Sequence, residues 1–73
     1  MILQEGYITK GKMKGFFVRL ISDAAISGGY YLLFSKDFSD PNAEGYDQWY
    51  ESLEDAERAF GTFDIIPSDE AEL

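Results

Sequence analysis

The segment FFVRLISDAAISGGYYLLFSK, residues 16–36, decides the fold class of this 73-residue chain. Residues 16–22 and 30–36 are two runs of β-branched and aromatic residues, which are typical of β-strands. The connection between them, residues 23–29, ends in two glycines and has the composition of a turn. Two β-prone runs with so short a link predict a pair of antiparallel strands.

The sequence on either side of this segment extends the pattern. Residues 2–9 are a further β-prone run, and the Gly-rich stretch KGKMKG at 10–15 indicates a hairpin turn. YDQWY at 46–50 predicts a short edge strand, and TFDII at 62–66 predicts a short last strand that Pro67 ends. We therefore expect an α+β fold, an antiparallel meander of three to four strands with one C-terminal helix packed on one face.

The helix follows from a start signal and an apolar stripe. The Ser52 hydroxyl can accept a hydrogen bond from an amide of the first turn, and Asp55 completes the [ST]-x-x-[DE] pattern. Glu54 and Arg58 form an i,i+4 pair, and Gly61 is predicted to end the helix in the left-handed conformation. The residues expected to face the sheet recur at three-to-four spacing: Leu53, Ala56, Ala59 and Phe60.

Length and composition limit the function classes. The aromatic fraction of 16% predicts one compact domain, residues 1–66, followed by a frayed acidic tail, residues 67–73. The chain contains neither cysteine nor histidine, so zinc sites and hydrolytic triads are not expected, and we predict no enzyme and no cofactor. Neither a signal peptide nor a membrane span is recognisable, which favours a cytoplasmic protein.

Charge is distributed unequally along the chain. Residues 1–36 hold five bases and two acids, whereas residues 37–73 hold one base and twelve acids, and the formal net charge is −8. This distribution favours a basic protein partner and disfavours nucleic acid. The lysines at Lys10, Lys12 and Lys14 are therefore expected to keep a turn soluble and to protect strand edges.

Both faces of the predicted sheet are apolar. Phe16 and Val18 alternate with Phe17 and Ile21, and the third strand repeats this arrangement. A helix of eight residues is about 12 Å long and shields only one face. The other face must be covered by the loop and aromatic segment, by a second copy of the chain, or by a partner.

An acidic and aromatic segment is the predicted partner-binding site. Tyrosine and tryptophan are favoured anchors of protein interfaces, and here they alternate with carboxylates. Alternatively, the three aromatic residues fold back over the second sheet face and complete the core. The predicted site consists of Asp37, Asp40, Glu44, Tyr46, Asp47, Trp49, Tyr50 and Glu51.

Part of this segment resembles an EF-hand calcium loop. Asp40, Asn42, Glu44, Gly45 and Glu51 stand at positions 1, 3, 5, 6 and 12 of that pattern, where oxygen ligands wrap a hard cation. This sequence departs from the pattern in two ways: Asp47 stands at position 8, where an apolar residue is usual, and no helix is predicted before the loop. We therefore predict an acidic loop without a metal.

The stretch GYDQWYESLEDAERAFG, residues 45–61, with the acidity and small size of the chain, resembles the small immunity proteins of bacterial toxin and immunity loci. That resemblance implies a protein that binds and blocks a cognate toxin. Acidic proteins of this kind suit basic nuclease toxins, because carboxylates can occupy a groove that takes phosphate. A homodimer or accessory domain that uses the second sheet face is the alternative.

The calcium prediction has a direct test. We expect calorimetry to detect no binding of Ca²⁺ at physiological concentration, because the loop lacks the apolar pairing position and the entering helix. Micromolar binding that Glu51→Gln abolishes would contradict this expectation and favour a calcium-dependent function.

Overall fold

The pairing of the second and third strands is the longest uninterrupted ladder of the sheet. The computed structural model describes residues 1–23 and 25–67. In these residues, strand β2 (Phe17–Asp23) pairs with β3 (Gly29–Ser35) from Phe17↔Ser35 to Asp23↔Gly29 without a register shift. The antiparallel hairpin predicted from residues 16–36 is confirmed.

Three further strands extend this pair, and one helix follows β4. Strand β1 (Ile2–Ile8) pairs with β2, β4 (Gly45–Tyr50) pairs with β3, and β5 (Ile65–Pro67) pairs with β1. The spatial order is β4-β3-β2-β1-β5, and every pair is antiparallel. The predicted α+β class and antiparallel meander are confirmed, but the prediction of three to four strands is wrong. The described chain has five, because both short segments, residues 45–50 and 65–67, pair with an edge of the three-stranded sheet.

One face of the sheet carries the core. The largest fully buried side chains belong to three neighbouring strands: Ile8, Val18, Leu20 and Leu32. Helix α1 (Leu53–Phe60) packs over them with Ala56, which is fully buried, while Leu53, Ala59 and Phe60 are partly buried against the same cluster. The eight-residue helix therefore covers a single face, as its length predicts.

The two ends of α1 differ in how well they agree with the prediction. The Ser52 hydroxyl accepts a hydrogen bond from the Asp55 N–H at 3.1 Å, so the predicted N-cap is confirmed. Gly61 has φ −70° and ψ −10°, so the prediction of a left-handed C-cap is wrong. Its N–H donates to the Glu57 carbonyl at 2.9 Å, which continues the helical geometry for one more residue.

The last strand closes over a glycine of β1. Gly6 lies on the core face, and the Ile65 side chain occupies the space where a Cβ would stand. Pro67, where the sequence predicts the start of the tail, pairs with Gly6 as the last residue of β5. Residues 68–73 of the predicted tail lie outside the described part of the chain. Within the described residues, no helix is long and apolar enough to cross a membrane.

A pair of Gly→Ala substitutions tests this packing. A Cβ at Gly6 would lie 2.7 Å from the Ile66 carbonyl oxygen and would collide with Ile65, so we expect Gly6→Ala to lower the free energy of unfolding by about 1–3 kcal/mol. A Cβ at Gly61 would lie 3.4 Å from the Glu57 oxygen, at an ordinary helical φ. We expect Gly61→Ala to be neutral or to stabilise by about 0.4–1 kcal/mol.

Urea denaturation of both variants provides the measurement. Equal losses at the two positions would contradict the close approach of β5 to Gly6. A clear loss for Gly61→Ala alone would show that Gly61 adopts a left-handed conformation after all.

Candidate functional site

The sheet surface opposite α1 is an apolar surface that the helix leaves uncovered, and we call it the open face. Strand pairing and alternation place eight apolar side chains on it: Ile2, Tyr7, Phe17, Ile21, Tyr31, Leu33, Trp49 and Ile66. None of these eight is buried, and Trp49 is 45% exposed. The structure therefore leaves partly exposed the second apolar face that the sequence predicts.

Two cross-strand rows of side chains make up the centre of the open face, one apolar and one that includes charged residues. In one row, Tyr31 lies between Ile21 and Trp49, so three apolar side chains stand side by side. In the adjacent row, Leu33 lies between Arg19 and Asp47. Neighbouring strands are separated by about 4.8 Å, so side chains in one row are in reach of one another.

A shallow cavity of about 280 Å³ lies where these rows meet. It is lined by Ile21, Asp23, Tyr31, Leu33 and Asp47. Its floor is apolar, and its two charged groups are both carboxylates. This arrangement can accept a side chain with an apolar stem and a cation at its end, as in lysine and arginine.

The indole of Trp49 is held in place from below and from the side. Its ring lies directly over Gly29, where any Cβ would collide with it. Its Nε1–H donates to the Ser27 hydroxyl at 3.2 Å, and the same hydroxyl accepts the Gly29 N–H at 3.3 Å. An aromatic side chain fixed in this way loses little conformational freedom when it contacts a partner.

Arg19 organises the other end of the open face. Its Nε–H donates to Glu5 Oε2 at 2.9 Å, and its guanidinium lies 4.0 Å from the centroid of the Phe38 ring. A second cavity, of about 240 Å³, adjoins this group and is also bordered by Asp37 and Ser39. Hydrogen bonds from the Ser39 hydroxyl and backbone N–H hold the pKa of Asp37 below its usual range, which keeps this carboxylate charged.

The charge balance of the open face is negative. Four carboxylates lie on it or border its cavities, Glu5, Asp23, Asp37 and Asp47, against the single guanidinium of Arg19. This leaves a formal excess of three negative charges. Lys36 lies on the opposite side of the sheet, 4.3 Å from the Phe16 ring centroid, and does not offset them.

The predicted partner-binding residues are divided between the two sides of the sheet. Asp47 and Trp49 lie on the open face and Asp37 borders it, whereas Tyr46 and Tyr50 point to the helix side because side chains alternate along β4. Glu51 comes directly after the strand. Of the three aromatic residues, only Trp49 lies on the second sheet face, to which the alternative interpretation assigned all three.

The loop before β4 is organised by local hydrogen bonds. Glu44 accepts a hydrogen bond from the Tyr46 hydroxyl at 2.6 Å, and this bond with the carboxylate charge raises the pKa of Tyr46. Asp40 Oδ1 accepts the Asn42 N–H at 2.9 Å, as in an Asx turn. Asp40 and Glu44 therefore accept hydrogen bonds from residues close in sequence, and they do not line the cavities of the open face.

The residues of the calcium pattern are not brought around one point. Gly45–Tyr50 is an extended strand, which separates Glu51 from Asp40 and Asn42 by about 20 Å of chain. A calcium loop instead bends at its central glycine. Among the described residues, no three acidic side chains are grouped so that they could hold a metal ion.

Alternation along the sequence places Phe17, Ile21 and Tyr31 on the second sheet face, but the predicted site does not include them. The missing information was the position of β4, which sets the Tyr31↔Trp49 and Leu33↔Asp47 pairs. In the sequence, Ser27 and Gly29 have only the pattern of turn residues. Their contacts with Trp49 join two segments 20 or more residues apart, and no local pattern indicates them.

The single tryptophan reports on this arrangement directly. We expect Gly29→Ala to displace the indole and to shift the Trp49 emission to longer wavelength, because the added methyl group occupies the ring position. Ser27→Ala removes only the hydrogen bond and should give a smaller shift. Gly61→Ala is the control that should leave the emission unchanged, and an unchanged spectrum for Gly29→Ala would contradict the contact.

Comparison of the chain with protein-family models, with curated proteins and with solved structures gives no match. The resemblance to small immunity proteins therefore stays a prediction from the sequence. The function is inferred from the geometry and charge of the open face.

Proposed function

We propose that this chain is a non-catalytic protein-binding module that engages a basic protein through the open face. One observation carries the proposal: the row Ile21, Tyr31 and Trp49 is a partly exposed apolar strip next to an excess of carboxylates. An apolar centre with a charged rim is the usual anatomy of a protein interface. In this proposal the surface functions by contact, and no residue of it performs catalysis.

The dimensions of the open face suit a small interface. The five strands hold 30 residues, and at about 4.8 Å spacing and about 3.3 Å rise they form a sheet of roughly 480 Å². Two partners would therefore bury about 950 Å² in total. This is the size of a weak or transient interface, so affinity would depend on a few well-packed anchors.

Charge and anchoring have different roles in this proposal. The carboxylates Asp23, Asp37 and Asp47 attract a basic partner during encounter and accelerate association. Trp49 is held rigidly by Ser27 and Gly29, so it can contact a partner at small entropic cost and slow dissociation.

The proposal includes an immunity or inhibitor role in the cytoplasm, in which the partner is a basic toxin such as a nuclease. A homodimer through the same face is the second candidate, because both sheet faces are apolar. Two copies would bring together surfaces that each carry excess negative charge, on chains of net charge −8. The charge balance therefore favours a different, basic protein over a second copy.

Affinity capture from the native source, followed by variants, tests the proposal. We expect Trp49→Ala to weaken binding of the captured partner by about 30-fold or more, as for an interface hot spot. Gln48→Ala is the matched control, because Gln48 is exposed on the same strand but points to the helix side. Asp47→Lys should slow association at low salt and have a smaller effect at high salt.

Two outcomes would overturn the proposal. One is a captured partner that is itself acidic. The other is binding that tolerates both Tyr31→Ala and Trp49→Ala but is lost in Tyr46→Ala, which would place the site on the helix side of the sheet.

A further inference from the structure

We propose that the free edge of β4 binds an extended basic segment of the partner as a sixth strand of the sheet. This inference rests on the proposed protein-binding function and adds where and how the partner attaches. Strand addition uses main-chain hydrogen bonds for affinity and side-chain contacts at alternate positions for specificity.

The direction of the main-chain groups of β4 follows from one hydrogen bond. The Lys36 N–H donates to the Glu44 carbonyl at 2.9 Å, and the register Ser35↔Gly45 places these two residues directly opposite each other. In an antiparallel ladder, hydrogen-bonded pairs alternate with pairs that do not exchange hydrogen bonds. Tyr46, Gln48 and Tyr50 therefore bond to β3.

The intervening residues of β4 point their main-chain groups the other way. Gly45, Asp47 and Trp49 direct their N–H and C=O groups to the outside of the sheet, where the described chain places no strand. All three residues are exposed. They present three donors and three acceptors at the spacing of a β-ladder.

The opposite edge of the sheet is protected against such pairing. Strand β5 is three residues long, and by the same alternation Pro67 stands at an outward position, where it has no N–H to donate. Beyond β5, the exposed part of β1 carries a register shift between Ile2 and Gln4. The edge of β4 has six residues and contains neither proline nor a register shift.

The side chains beside this edge define the chemistry of the added strand. A strand paired with β4 places alternate side chains next to Asp47 and Trp49 on the open face. A lysine or arginine suits the position next to Asp47, and an apolar residue suits the position next to Trp49. Residues 37–57, which include Asp47, hold eight acids and no base, so the field around this part of the chain attracts a basic segment.

Asp47 disfavours pairing of this edge with the same edge of a second copy. In the self-pairing centred on Asp47, the two Asp47 carboxylates would stand directly opposite each other, and like charges there are destabilising. The edge is therefore suited to a basic strand and is protected by charge against an identical one.

A short peptide tests the inference without the native partner. The probe is the blocked peptide Thr-Val-Thr-Lys-Thr-Lys-Thr, whose valine and lysines would lie on the open face beside Trp49, Asp47 and Gly45. We expect a Kd below about 1 mM by NMR titration. Two controls have the same length: one with both lysines replaced by glutamate, and one with N-methyl groups on the valine and lysine amides that would donate to β4.

Amide hydrogen exchange identifies the mode of binding. In the free protein, the amides of Gly45, Asp47 and Trp49 should exchange at least about tenfold faster than those of Gln48 and Tyr50. The lysine peptide should slow the three outward amides by about tenfold or more, whereas the N-methylated peptide and the glutamate peptide should not.

The outcomes separate this inference from the proposed function. Absence of protection at saturating or millimolar peptide, equal binding of the N-methylated peptide, or slow exchange of the outward amides in the free protein would each overturn the edge-strand inference. Loss of partner binding in Tyr31→Ala would still support the open face in that case. Conversely, protection of the edge together with partner binding that tolerates Tyr31→Ala and Trp49→Ala would retain the edge and refute the open face.

Discussion

The uninterrupted pairing of β2 with β3 is the constraint on which the rest of the structure depends. Seven consecutive residue pairs fix which side chains share a face, because a shift by one residue would exchange the two faces. In the observed register, Val18, Leu20 and Leu32 meet under α1, and Arg19, Ile21 and Tyr31 lie opposite. The core and the open face are two results of the same register.

A single short helix makes the two faces unequal. Helix α1 has eight residues, and its one fully buried side chain is Ala56, which allows the helix to approach the sheet closely. It completes a core on one side but cannot reach the other. The apolar side chains that remain on the open face contribute less to the core of the domain, and for this reason they are available for contact with a partner.

The two edges of the sheet differ for a related reason. Strand β5 returns over Gly6 and ends in Pro67, so this edge is short and has no N–H at its last outward position. Strand β4 carries the tryptophan, and Ser27 and Gly29 hold the indole on the open face. The open face and the free edge therefore meet along one strand, so a partner could use both at once.

The sequence by itself determined the local elements: the alternation of the β-prone runs, the Ser52 cap and the helix that begins at Leu53. Local patterns carry this information because the forces involved act between residues near in sequence. The strand count and the Gly61 conformation were predicted wrongly, since each depends on what the segment meets in space. The edge position of residues 46–50 was also predicted from the sequence, and β4 confirms it. Only the tertiary structure decided the register of β4 against β3, which places Asp47 and Trp49 on the open face and Tyr46 and Tyr50 on the helix side. The sequence predicts that the acidic and aromatic segment forms one surface, but the pleat of an extended strand divides its side chains between two faces of the sheet.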